Sequence, residues 1–179
     1  ALKPDSPDVE VMGAAAFHAE FAEQAKILAE TGVDLLLAEY VGHLADCVAI
    51  VDACAESGLP VFLAVRHVRR DGRLPFGESF AYLVSALDGH PVDALLIMCS
   101  YPEDVSAELP LLRDAYDCPI GAYPRIGYNA LGPVGGRNPS IQHKSGTAQR
   151  DIIQTGGYTP SSLAAFADQW LDMDAQMVG

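Results

Sequence analysis

The chain has 179 residues, half of them apolar, and a formal net charge of −13. That length supports one domain with a sizeable core. The acidity argues against a nucleic-acid partner, because phosphate binding needs a positive surface, and no apolar run reaches the roughly 18 residues of a membrane span. Four scattered cysteines, Cys47, Cys54, Cys99 and Cys118, exclude a disulfide framework and fit a reducing cytoplasm. The opening ALKPDSPDVEV has neither the basic nor the apolar region of a signal peptide.

In chain order, residues 14–30 read as a helix with Phe17, Phe21, Ile27 and Leu28 broadly on one side. A strand over 32–40 follows, then a helix over 44–56 in which Cys47 and Cys54 are ordinary small buried thiols. The alternation continues with a strand over 59–67, a helix over 78–87, a strand over 92–100, a helix over 102–116 and a strand over 118–125. A helix over 160–173 and a strand over 174–179 complete it. The strand runs are nearly continuous in Val, Leu and Ile rather than alternating, as expected of parallel strands covered on both faces. The order predicts an α/β protein.

Local signals agree with these boundaries. ETGVD and ESGLP each put a glycine just past a helix and before a strand. SYPED places Pro102, Glu103 and Asp104 in a first helical turn, and TPSS offers Thr159 as an N-cap ahead of Pro160. The stretch 126–158 departs from the rhythm, being rich in Gly, Asn and Pro. Loops this long are usually functional or disordered. Its GPVGGRN does not sit between a strand end and a helix start, so a plain loop is favoured there over a phosphate loop.

Ligands of parallel α/β folds meet the carboxyl ends of the strands. Those ends read Glu39-Tyr40, Arg66-His67, Cys99-Ser100, Tyr123-Pro124-Arg125 and Gly179: an acid, a base, a thiol and a phenol. Each also has a plain reading. Glu39 would be solvated or paired with Arg66 or Arg125, His67 beside VRRDGR would be a solvated loop residue, and Cys99 alone would be a small buried side chain.

The wording of the ends adds more. TGVDLLLAEY, SGLPVFLAV, VDALLIMCS, CPIGAYPRIGYN and WLDMDAQMVG, in this order, resemble the fourth to eighth strand segments of the homocysteine S-methyltransferase family. The Glu39-Tyr40 pair is particularly similar to the betaine-dependent branch. The resemblance implies that residues 1–179 are the C-terminal part of a parallel (β/α)8 barrel of TIM type, with about five of its strands present. An open doubly wound sheet is the alternative. The resemblance further implies methyl transfer to the sulfur of homocysteine, giving methionine, with zinc as cofactor and Cys99 as one of three thiolate ligands. Glu39 would bind the amino group of homocysteine, Tyr40 would lie beside the metal, and Tyr123 would line the substrate pocket. His67 and Arg125 are pocket candidates without an assigned step. The other two cysteines of the family pattern would begin at Gly179, where this sequence ends. Asp174 stands where the family usually has glycine, and Arg125 where it often has Asn.

The implied partners are small molecules, homocysteine and a methyl donor, in the cytoplasm, without nucleic acid or membrane. Homo-oligomerisation is left open, and a half barrel with uncovered strand edges is expected to associate when expressed alone. Two rival functions are a methyltransferase of the same barrel acting on another thiol or a selenol, and a non-catalytic barrel fragment.

Overall fold

A computed structural model describes residues 6–125, 158 and 160–179. The N-cap reading of Thr159 and nearly all of the 126–158 stretch, GPVGGRN included, lie outside the described residues. Five strands, β1 (Leu36–Val41), β2 (Val61–Arg66), β3 (Ala94–Met98), β4 (Ile120–Tyr123) and β5 (Met177–Val178), pair in the order β1-β2-β3-β4-β5. Every pairing is parallel. Among the described residues six helices accompany them: α1 (Asp8–Met12), α2 (Ala14–Glu30), α3 (Leu44–Ala55), α4 (Phe80–Ala86), α5 (Pro102–Ala115) and α6 (Pro160–Asp172).

Sequential order excludes the doubly wound alternative. A doubly wound sheet reverses its strand order at a switch point, whereas successive right-handed crossovers without reversal keep all helices on one face and curl the sheet toward a barrel. The core shows this directly. Leu36, Ala38, Leu63, Val65, Leu95, Ile97, Ile120 and Ala122 pack in one cluster with Phe17, Ile50, Leu83, Leu109 and Trp170 from the helices. The opposite face holds a small cluster of Ala64, Ala94, Leu96 and Met98, with Phe62, Cys99 and Met177 against it. Among the described residues, then, helices cover one face only, where the continuous apolar runs predicted cover on both. The runs are continuous because the inner face of a barrel is also filled, by side chains of the barrel itself.

The boundaries have visible causes. Gly32 (φ 85°) and Gly58 (φ 74°) take the left-handed conformation that ends α2 and α3. Pro102 opens α5 with Glu103 and Asp104 in its first turn. Helix α4 starts two residues later than the pattern predicted, because Ser79 caps it, accepting from the Tyr82 N–H at 3.2 Å. Asp174 adopts φ 66° just past α6, where the Ala175 N–H returns to the Trp170 carbonyl at 3.0 Å. The glycine expected at 174 would take this conformation without strain. Aspartate tolerates it, with Oδ1 accepting from Gln176 Nε2 at 3.1 Å.

Candidate functional site

The carboxyl ends of β1 to β4 stand side by side along one edge of the sheet, bringing Glu39, Tyr40, Arg66, His67, Cys99 and Tyr123 to a common end. Three of these residues share a rare backbone state. Tyr40 (φ 65°), His67 (φ 49°) and Cys99 (φ 55°) are left-handed, on three adjacent strands. For residues other than glycine this costs about 1–3 kcal/mol each and persists where the surroundings over-determine it. Glu39 and Tyr40 also lie in an irregular stretch of β1, between the pairings Ala38↔Leu63 and Val41↔Val65. Such a bulge re-aims the side chains within it.

Hydrogen bonds lace the ends together. The His67 N–H donates to the Met98 carbonyl at 3.1 Å, the Cys99 N–H to the Tyr123 carbonyl at 3.0 Å, and the Arg125 N–H to the Ser100 carbonyl at 2.8 Å. The His67 ring links two further strands: its Nδ1 lies 3.0 Å from the Cys99 carbonyl and its Nε2 3.1 Å from the Tyr40 hydroxyl. A carbonyl can only accept, so Nδ1 carries the proton. Burial lowers the His67 pKa, and the Arg66 and Arg125 charges add to that against the Cys99 carbonyl bond. The neutral ring therefore offers Nε2 as acceptor and the Tyr40 hydroxyl donates. His67 is half-buried and bonded at both nitrogens, which corrects its reading as a solvated loop residue.

Cys99 is partly exposed at the inner face, not a fully buried thiol. Burial raises its pKa, Arg125 and Arg66 oppose the rise, and Glu39 adds to it, so a free thiol here stays protonated at neutral pH. Glu39 forms no ion pair with Arg66. Tyr123 is 44% exposed, and its ring lies so close to Gly179 that a Cβ there would meet Cδ2 at 2.7 Å. Among the described residues no three His, Cys, Asp or Glu side chains come together as a metal-binding group. Cys99 is a suitable soft donor for zinc, but these residues do not complete a set, since both nitrogens of the neighbouring His67 are engaged.

Sequence reasoning missed Glu108. It lies wholly inside α5's packed face, and neither carboxyl oxygen has a hydrogen-bond partner. Burial pushes its pKa up to about 8, with Asp104 adding to the rise and Arg70 opposing it. The Ser100 hydroxyl has a single proton, directed to the Val68 carbonyl at 3.4 Å, which leaves it none to donate to Glu108. In SAELPLL a glutamate reads as a solvated helical position, and only the i, i+4 spacing to Leu112 hinted otherwise.

The family described as homocysteine S-methyltransferase matches residues 2–179. No curated protein matches the chain. Among solved structures, the apo form of the homocysteine methyltransferase MmuM from Escherichia coli is similar at 22% identity and TM-score 0.65, covering 93% of this chain and 51% of that one. The metallated form of the same protein gives 21% and 0.67, covering 93% and 46%. A dihydrodipicolinate synthase from Agrobacterium tumefaciens gives 14% and 0.51, covering 90% and 47%. These likenesses show the fold, and the chain spans about half the length of the methyltransferase structures it matches. With a match over nearly its whole length, the chain belongs to the homocysteine S-methyltransferase family.

Proposed function

We propose, proceeding from that membership, that the protein carrying this chain transfers a methyl group to the sulfur of homocysteine, giving methionine. One observation within the molecule supports the reading most: Tyr40, His67 and Cys99, left-handed at adjacent strand ends, are tied together through the His67 ring. Strained backbone of this kind clusters where a constellation must be held in place. The reaction needs a thiolate, the nucleophilic form of sulfur, in line with the donor. A sulfur–carbon bond forms as the donor's bond to the methyl breaks, the electron pair leaves with the donor, and the thiol proton passes to solvent.

Glu39 would hold the ammonium of homocysteine, Tyr40 and Tyr123 would wall the pocket, and Cys99 would be one thiolate ligand of a zinc ion. Zinc in a thiolate site with an open position supplies a charge that keeps a bound thiol ionised near neutral pH. Among the described residues no group of three donors forms around Cys99, so further donors would come from outside them, in keeping with the Cys-Cys pair that the resemblance implies.

Metal content and methyl-transfer rate of the full-length protein test this. Cys99→Ser should lose most zinc and more than about 100-fold in rate, because a hard hydroxyl replaces a soft thiolate. Glu39→Gln should keep its zinc and weaken homocysteine binding by roughly 2–5 kcal/mol. Full zinc and full activity in Cys99→Ser would return Cys99 to a packing role. A preference for another thiol or a selenol over homocysteine would move the activity to a sister reaction, and inactivity of the zinc-loaded wild type would leave a non-catalytic scaffold.

A further inference from the structure

Residue 99 breaks the alternation of its strand. Along β3, Leu95 and Ile97 join the helix-covered core, whereas Ala94, Leu96 and Met98 lie on the inner face. Side chains of a strand alternate between faces, so an extended residue 99 would point its thiol outward, toward the helices. Cys99 instead packs against the same inner cluster as Met98, its immediate neighbour. The left-handed backbone at Cys99 (φ 55°) accounts for the reversal.

The hydrogen bonds show what keeps this state in place. The Cys99 N–H donates to the Tyr123 carbonyl at 3.0 Å, as in a regular parallel ladder. In such a ladder the Cys99 carbonyl would then accept the N–H of Arg125. Here the Arg125 N–H passes one residue further, to the Ser100 carbonyl at 2.8 Å. Residue 99 is thus the extra residue of a bulge, and its carbonyl, released from the ladder, turns back toward β2. There the His67 ring meets it, with Nδ1 at 3.0 Å. The His67 backbone N–H does not fill that role, since it is already given to the Met98 carbonyl at 3.1 Å.

We propose that His67 is a positioning residue that decides which face of the sheet the Cys99 thiol presents. With the N–H held by Tyr123 and the carbonyl by the His67 ring, both peptide groups flanking the Cys99 Cα are fixed. The Cα–Cβ bond is thereby held toward the inner face. The Tyr40 hydroxyl occupies the other ring nitrogen, 3.1 Å from Nε2. A backbone carbonyl shielded from water needs a donor. Without the ring, the Cys99 carbonyl returns to the Arg125 N–H, residue 99 becomes extended and the thiol swings outward. The value of that thiol's direction to zinc rests on the proposed methyltransferase reading; the direction itself does not.

Carbon-13 NMR of the cysteine-labelled, metal-free full-length protein tests this, because the Cα and Cβ shifts of Cys99 follow its backbone angles. His67→Gln keeps a partner for the Tyr40 hydroxyl but has no donor at the place of Nδ1. Its Cys99 shifts should move to extended values. Its zinc affinity, measured by chelator competition, should fall roughly 10–100-fold, the range for groups that orient a metal ligand. His67→Asn puts an amide N–H where Nδ1 stood and tolerates the φ of 49° at that position. It should keep the Cys99 shifts and most of the zinc affinity. His67→Gly removes the ring and takes the same φ without strain, so it serves if His67→Gln does not fold. Left-handed Cys99 shifts in His67→Gln or His67→Gly would overturn the assignment, as would His67→Asn behaving like His67→Gln. A wild type that binds no zinc, with Cys99 shifts that still respond to His67, would refute the metal reading and leave the positioning role standing.

Discussion

On the outer face of the sheet Leu63, Leu95, Ile97 and Ile120 are fully buried beneath the helices, whereas on the inner side Leu37 is 42% exposed and Tyr123 44% exposed. Large aliphatic residues fill the first face. On the second, Ala64, Ala94, Leu96 and Met98 form a smaller buried cluster, and the charged and aromatic residues stand at the strand ends. The two faces carry different loads: burial on the outer face stabilises the fold, and the inner edge holds charged and left-handed residues that are exposed or only half-buried. Arg66, Glu39 and the three left-handed residues belong to the second kind, as expected where stability is given up for a site.

This division can be broken first at the core. Leu63→Ala should cost about 2–5 kcal/mol in denaturant unfolding, through lost transfer energy and the cavity left behind. Leu37→Ala, its neighbour on the opposite face, should change stability by less than about 0.5 kcal/mol in the same fragment, as for most exposed positions. Similar costs at both sites would show that the inner face is covered as well as the outer.

Glu108 sharpens the comparison, because it places an acid on the apolar side. Its folded-state pKa of about 8 lies above the usual 4.5, so the folded form holds a proton that the unfolded chain releases earlier. The neutral acid is therefore tolerated fully below pH 4.5, and stability falls as pH rises from there through about 8. The steepest slope for one proton is about 1.4 kcal/mol per pH unit. Glu108→Gln should flatten this part of the stability–pH curve, measured by urea unfolding at several pH values. An unchanged slope would mean that Glu108 is ionised and satisfied in the folded protein.

A loss smaller than that at Leu63 is expected at the inner edge. Tyr40→Phe removes the hydroxyl that donates to His67 Nε2 and should cost only about 1 kcal/mol of stability, the net worth of one hydrogen bond. Proton–nitrogen NMR of the His67 ring should then show Nε2 without its donor, while Nδ1–H remains on the Cys99 carbonyl. Loss of the Nδ1 bond as well would show that Tyr40, rather than the backbone, orients the ring.

The sequence alone determined the order of elements, the parallel sheet and the common end on which Glu39, Tyr40, His67, Cys99 and Tyr123 would meet. Those features follow from short-range chemistry: continuous apolar runs, glycines that stop helices, a proline and acids in a first turn. A single strand order then follows from the connection rules. The tertiary structure decided everything that depends on which residue, about 25 or more positions away, arrives beside a given side chain. Arg66 and Arg70 look alike in VRHVRRDGR, yet Asp104 on α5 neutralises only Arg70, while Tyr40 on β1 takes the face of Arg66. His67 became a link rather than a loop residue because β3 brings the Cys99 carbonyl to its ring. Glu108 is raised because α5 turns it inward, where burial excludes the water that would otherwise stabilise its charge. Charge and hydrogen bonding act at a few ångströms, and distances of that order between remote residues exist only once the sheet has formed.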